Sequence, residues 1–390
     1  MQTTSLKRYA FFQETKGRIP MKYMLIRVCA MMLAVCLCLS TGGCTNQEAP
    51  SSGTISSSQS SSSNSGSQPD LVGSSQAPLP EAQPTISAPT ISIENQTEGN
   101  IQRKIVTPHF SGFPGADELN AKIVAEQQDA MADLEETAAG NGGAGQASTL
   151  FYQSVFDYQD SGLLSVWLTN ETYTGGAHGM SWVSSYNVNP ETGEFYEFRD
   201  LFRNPEEAIP EITDKILSHL KNILTDESLY ETASEAVRAL DGNYSYYLDG
   251  ENLVVYFQPY DVAPYALGIV RVPVALSSLP DMTVALRAAS ARRTIRVNGR
   301  DTSLNRNMMM GSGGDTAVLL PVPETARLCG LQATVKNQAC QIGGKEYPVT
   351  YANGGAFMTL SDFLAIAPDD SNHLVAYGSD DVLRIYTAET

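Results

Sequence analysis

Residues 149–198 read TLFYQSVFDYQDSGLLSVWLTNETYTGGAHGMSWVSSYNVNPETGEFYEF. Aromatic and β-branched residues dominate Thr149–Tyr158 and Leu163–Thr172, with partial alternation of apolar and polar positions, the pattern of half-buried strands. Ser181–Val188 and Gly193–Phe198 repeat that pattern around Asn189-Pro190-Glu191-Thr192, a turn signal that predicts a hairpin. Strands joined by short links predict antiparallel pairing.

Upstream, Ile101–Phe110 reads as a strand. Asp117–Glu136 then reads as a helix with Leu119, Ile123, Ala130 and Leu134 on one face, and the Gly-rich break Gly140-Asn141-Gly142-Gly143 ends it. Downstream, helices resume at about Pro205, where Ile212, Ile216, Leu220 and Ile223 recur at helical spacing. A second helical segment covers Glu227–Leu240. Tyr244–Leu248, Asn252–Gln258 and Leu267–Val274 read as strands that close the sheet. Two or three helices and about seven strands in this order predict an α+β fold with a mostly antiparallel sheet and packed helices.

The N-terminus addresses the compartment. Lys22 and Arg27 precede or enter an uncharged run, Val28–Leu39, about the length of a signal-peptide core and short of the roughly 20 residues that span a bilayer. Met21 or Met24 would start a signal of ordinary length. Leu39-Ser40-Thr41-Gly42-Gly43-Cys44 resembles the bacterial lipobox, with Thr41 where that pattern usually has Leu. The resemblance implies cleavage after residue 43, diacylation of Cys44 and membrane attachment through the lipid. An ordinary secretory signal cleaved near Gly43 is the other reading. Residues 44–92 are rich in Ser, Gln, Gly, Pro and Asn, as in Ser51-Ser52-Gly53 and Ser61-Ser62-Ser63-Asn64. Such a segment buries too little apolar surface to offset its ordering entropy, and is expected to be a disordered tether.

The chain has 25 Lys+Arg and 43 Asp+Glu. Residues 1–43 hold six of the former and one of the latter, so the remainder carries a formal charge of −23. That balance argues against nucleic acid, whose phosphates need a positive surface. It favours approach of a cationic partner, or serves solubility alone. Of six cysteines, only Cys329 and Cys340 lie beyond Cys44. Their spacing does not match a zinc site. In an oxidising compartment they are expected to pair as a disulfide closing a small loop, worth roughly 2–3 kcal/mol; two buried free thiols are the alternative.

Tyr173-Thr174-Gly175-Gly176-Ala177-His178-Gly179, then Tyr186-Asn187-Val188-Asn189 with Thr192-Gly193, then Asp200-Leu201-Phe202, resemble the extracytoplasmic domain shared by the RsiV anti-sigma factor and the PdaC peptidoglycan deacetylase. Val255-Tyr256-Phe257-Gln258-Pro259-Tyr260-Asp261-Val262-Ala263-Pro264-Tyr265-Ala266-Leu267-Gly268 is similar to a second signature of that family. The likeness covers residues 93–285. It implies binding, since the family includes a lysozyme receptor and an enzyme acting on peptidoglycan. The chain shows no deacetylase Thr-Phe-Asp-Asp-Gly stretch and no spanning helix of the anti-sigma type.

Tyr173, Gly175, Gly176, His178, Tyr260, Asp261 and Tyr265 are the candidate ligand-binding residues. Each also has a structural reading. The His178 ring would satisfy loop carbonyls, Tyr260 and Tyr265 would pack a corner with their hydroxyls on backbone, and Asp261 would cap a turn. His219 lies beside a helical apolar stripe, and His109 and His373 stand alone. No two of the four histidines sit at i, i+4, and no Gly-x-Ser-x-Gly elbow occurs, so neither a metal nor a cofactor nor a catalytic residue is assigned.

Residues 291–390 read as strand, strand, helix, hairpin, strand, helix, strands. Val297-Asn298-Gly299, the segment from Leu320-Pro321-Val322 to Leu328-Cys329-Gly330, and Phe357-Met358-Thr359-Leu360 resemble the small domain named after the N-terminal stalk of copper amine oxidases. The chain has Pro321-Val322-Pro323 where that family usually shows Pro-Leu-Arg. Met308-Met309-Met310 suits Cu(I) by softness, but reads as a flexible apolar loop. Together these readings describe a lipid-anchored surface protein that binds a cell-wall glycan or a cationic wall-active protein such as lysozyme. The alternatives are a peptidoglycan-modifying enzyme that works through His178 and a nearby acid, and a structural wall protein.

Overall fold

A computed structural model describes residues 86–140, 149–224, 229–288, and, from 295 to 389, all but 303, 305–307, 311–317, 353 and 379. Cys44 and the tether lie outside the described residues up to residue 85. The expected tether boundary at 92 falls inside strand β1, Thr90–Glu98, where Ile91 and Ile93 alternate into the core; Ile86 is also buried. β1 pairs antiparallel with β2, Ile101–His109. Helix α1, Ala116–Gly140, then crosses back so that β2 pairs parallel with β3, Leu150–Asp160, over Ile101–Ile105. β4, Leu164–Tyr173, and β5, Met180–Val188, extend the sheet antiparallel in the order β1-β2-β3-β4-β5. The fold is α+β with mostly antiparallel sheets, as the periodicity predicts.

Two expectations for this region are corrected. Gly193–Phe198 does not form a strand. Asn189 and Glu194 close a tight turn, a single bridge joins Val188 to Phe195, and the chain then winds into a short 3₁₀ turn at Phe198–Leu201. Phe198 is buried there, 1% exposed. Nor do the later strands close the first sheet. β6, Tyr246–Asp249, β7, Asn252–Phe257, and β8, Val270–Ala275, make a separate three-stranded sheet.

The reason lies in the alternation of β6 and β7. Tyr247, Val254 and Tyr256 face the first sheet, packing on Trp167 and Val183. Leu248, Leu253 and Val255 face helix α2, Pro205–Ile223, through Ile212, Ile216 and Leu220. A strand apolar on both faces is sandwiched rather than set at a solvated edge. α1 covers the other face of the first sheet with Leu119, Ile123 and Leu134. The layers are therefore helix, sheet, sheet, helix. Ile223, expected on the buried stripe of α2, is 45% exposed. The second helical segment shortens to α3, Ala233–Ala239.

Among the described residues the C-terminal lobe holds two four-stranded sheets and a three-stranded one. β9, Ile295–Val297, turns through Asn298-Gly299 into β10, Arg300–Asp301. β11, Met309–Met310, pairs with β12, Val318–Val322. Met309 and Met310 are thus strand rather than loop, and Met308, just before them, packs against the lobe's core. After α4, Glu324–Leu328, come β13, Ala333–Lys336, β14, Ala339–Ile342, β15, Lys345–Pro348, β16, Thr350–Ala352, and β17, Gly355–Thr359. Helix α5, Leu360–Leu364, leads to β18, His373–Tyr377, and β19, Leu383–Thr387. β19 lies between β9 and β18, parallel to the former. Cys329 and Cys340 are both buried free thiols in one apolar cluster, which corrects the expected disulfide. Burial favours the uncharged thiol and raises the pKa of Cys329 to about 12.

All described residues belong to one unit, Pro84–Thr390. The lobes meet where β2 stops pairing with β3. There the Tyr386 hydroxyl donates to Phe156 O (2.7 Å) and accepts from Phe156 N (3.1 Å), and Tyr158 N donates to Gly299 O (2.9 Å). Gly299 sits at φ +78, and a Cβ there would fall 2.4 Å from the Phe156 ring. Only glycine allows that approach.

Candidate ligand-binding face

Two loops build the candidate site. The first, between β4 and β5, turns through Gly175 and Gly176 at φ +85 and +105, a conformation that side chains resist. Tyr173 stays within this loop, its hydroxyl donating to Gly176 O (3.0 Å). His178 Nδ1 lies 2.8 Å from Gly179 O. A carbonyl only accepts, so Nδ1 carries the proton. Gly179 is pressed against the neighbouring strand: a Cβ would lie 2.6 Å from Thr172 O and 3.8 Å from Glu171 Oε1.

The second loop, residues 258–268, follows β7. The Gln258 side chain behaves as a one-residue strand. Its Oε1 accepts from Val183 N (3.1 Å) and its Nε2 donates to Val183 O (2.7 Å). This pair caps the outer edge of β5 and fixes the loop's root. Asp261 closes the next turn, its Oδ2 accepting from Gln258 N (2.7 Å). Between them Tyr260 is held at φ +74, a left-handed backbone uncommon for a residue with a bulky side chain. Pro264 then starts a 3₁₀ turn at Tyr265–Leu267 that Gly268 ends at φ +61.

The loops join through rings. Tyr265 donates its hydroxyl to Gly179 O, the carbonyl that also receives His178. The His178 and Tyr265 rings stack with centroids 3.8 Å apart and planes 19° apart. Tyr260 leans on Tyr265 at 5.7 Å and 34°. His178 is exposed, Tyr260 and Tyr265 are half-buried, and Leu267 at the rim is 41% exposed. Partial burial first, then the charge of Glu171 and the neighbouring Tyr260, raise the Tyr265 phenol above its usual range. Burial and Tyr260 raise Tyr230 in the same way.

Of the seven candidate residues, His178, Tyr260 and Tyr265 converge into one ring face. Gly175 and Gly176 shape the loop beside it. Tyr173 bonds only within that loop, and Asp261 caps a turn. The His178 and Tyr265 polar atoms do bond backbone, as their structural readings expected, yet their rings still present a surface. Sequence reasoning missed Glu171, Tyr230 and Leu267 at the rim, and Gln258 as the loop's anchor. The Gln258 contact spans 75 positions, beyond any local pattern.

A second polar convergence lies on the α1 face of the first sheet. The Glu126 carboxylate accepts from Asn170 Nδ2 and Trp182 Nε1 (3.3 Å each) and from the Ser184 and Tyr186 hydroxyls. Four donors thus converge on one carboxylate, which ties α1 to β4 and β5. Among the described residues no group of three or more His, Cys, Asp or Glu is placed to hold a metal ion, and no helix is long and apolar enough to cross a membrane.

An aromatic face with a carboxylate at its rim can take the apolar face of a sugar ring, another aromatic ring, or a cationic side chain over a ring. Residues 199–277 match the family described as Protein of unknown function (DUF3298). The matched segment contains α2, α3, the second sheet, and the loop bearing Tyr260 and Tyr265. His178 lies outside it. The chain is similar to a crystal structure of a DUF3298 family protein from Pseudomonas aeruginosa, at 18% identity over 52% of this chain and 95% of that one, with a TM-score of 0.37. It is also similar to a DUF3298 family member from Bacteroides fragilis, at 17% identity over 51% and 96%, with a TM-score of 0.34. No curated protein matches the chain.

Proposed function

We propose that this chain is a lipid-anchored, extracytoplasmic binding protein whose His178–Tyr265–Tyr260 face holds a cell-wall glycan or a cationic wall-active protein such as lysozyme. The observation that carries this reading is the ring face itself. Two loops, each anchored by its own backbone and side-chain bonds, bring three rings together at a surface. A merely structural corner would bury those rings, whereas His178 is left exposed. The formal charge of −23 beyond residue 43 supports a cationic partner through long-range attraction. The resemblance of residues 173–179 and 255–268 to the RsiV and PdaC domain supports the same class of ligand. Acylation at Cys44 would hold the face outside the membrane, with residues 45–85 as its leash.

The reading implies recognition rather than turnover. His178 uses Nδ1 on a backbone carbonyl and its ring face on Tyr265, an arrangement that fixes a ring as a contact surface.

Titration of the intact chain with lysozyme and with soluble muropeptides, each at several salt concentrations, tests the proposal. We expect one of them to bind, and Tyr265→Ala to weaken it at least tenfold while the fold survives. Absence of both complexes at every salt concentration would remove the reading.

A further inference from the structure

The side chain of Asp157, on β3 and 1% exposed, lies between two guanidinium groups of the C-terminal lobe. Arg296 Nη1 is 3.0 Å away and Arg384 Nη2 is 2.6 Å away, and both arginines are nearly as buried. Arg384 also holds Asp380 at 2.7 Å. Arg296 holds Asp301 at 2.9 Å and reaches Asp249, at the end of β6. Arg271 of β8 faces Asp380, and the Tyr377 hydroxyl, also near Asp380, donates to Asp381 (2.8 Å); Tyr247 lies beside Asp249 and Asp380, and Tyr386 beside Asp157. Four carboxylates thus surround two buried arginines. Asp157 Oδ1 has no hydrogen-bond partner among the described residues.

This knot sits behind the contact that seats the lobe on β3, where Tyr386 bonds Phe156 and Gly299 O receives Tyr158 N. We infer that the C-terminal lobe is an acid-releasable cover for this edge of β3, detaching from the sheet before the N-terminal lobe unfolds.

The order of events follows from what holds each part. The α2-facing core is built from apolar side chains such as Ile212, Ile216, Leu248 and Val255, whose packing does not depend on charge. The lobe contact combines apolar packing of Leu374 and Tyr386 against the first sheet with carboxylates that must stay charged, because neutralising one leaves an arginine buried without its counter-ion. Burial by itself would raise the Asp380 carboxyl, but the hydrogen bond and charge of Arg384 offset this and hold it at about 2, below its ordinary value of 3.8. A folded value below the unfolded one means that this contribution is present above about pH 4 and fades as pH falls toward 2.

The chain has two tryptophans, and one reports on the knot. Trp167 lies under the Arg296 guanidinium at 5.3 Å and stacks on Tyr247 at 4.5 Å. In the intact chain carrying Trp182→Phe, acid titration should shift Trp167 emission between about pH 4 and pH 2 while far-UV circular dichroism stays native. The Tyr158 amide should lose at least tenfold in hydrogen-exchange protection relative to the amides of α2. Arg384→Gln should move the emission midpoint upward by about one pH unit. One joint transition of emission and dichroism would overturn the inference, as would unchanged Trp167 emission down to pH 2. The unsubstituted Arg384 chain decides between these outcomes even if Arg384→Gln fails to fold.

Discussion

Tyr260 occupies a left-handed backbone conformation that costs a residue with a β-carbon about 1 kcal/mol or more. Strain at a surface ring persists only when its surroundings impose it, and here Asp261 and Gln258 close the turn on either side. Glycine would relieve the backbone and remove the ring. Tyr260→Gly is therefore expected to leave the melting temperature unchanged or raised, while weakening the complex with lysozyme or muropeptide. Differential scanning calorimetry beside a binding titration checks this, and a large loss of stability would return Tyr260 to a packing role. At this scale the sequence was informative about residue types but not about roles. Tyr-rich, Gly-rich and Pro-containing loops announced a candidate face. Nothing local could say that His178 would stack on Tyr265, 87 positions away, because that contact exists only once both loops are anchored.

At the scale of elements, Gln258 couples the second sheet's loop to the first sheet. Its amide occupies the N–H and C=O of Val183, as a neighbouring strand would. Gln258→Ala would leave both groups without their partner, costing roughly 1–3 kcal/mol. It should also loosen the Tyr260–Tyr265 loop, so that affinity falls with stability. Urea unfolding and exchange of the Val183 amide measure the two effects. Retention of Val183 protection in the variant would contradict the coupling. The elements were largely legible. Strand and helix periods located β2 to β5, α1 and α2 within a few residues. The segment before residue 92 was not, because the strand residues Ile91 and Ile93 are diluted by the polar composition around them. Gly193–Phe198 misled in the opposite direction: its strand-like residues serve a tight turn and plug the core.

Over the whole molecule, two lobes share a buried ionic knot and part of a core, with Leu374 and Tyr386 packed among residues of the first sheet and α1. The thiols add no covalent link. Dithiothreitol is accordingly expected to leave the melting temperature unchanged, whereas loss of a disulfide would cost about 2–3 kcal/mol. Cys329, its pKa pushed up to about 12 by burial, should resist alkylation at neutral pH until the lobe unfolds. A drop in melting temperature under reduction would show that the pair is bonded.

The sequence by itself determined the α+β class, the order of most strands and helices, and the acidic balance, because these depend on local period and composition. Only the tertiary structure decided that the strands split into two stacked sheets, that Asp157 would be neutralised by Arg296 and Arg384, and that His178, Tyr260 and Tyr265 would share one face. Those outcomes turn on contacts between residues tens to hundreds of positions apart, and such contacts are selected by packing and burial rather than by any pattern along the chain.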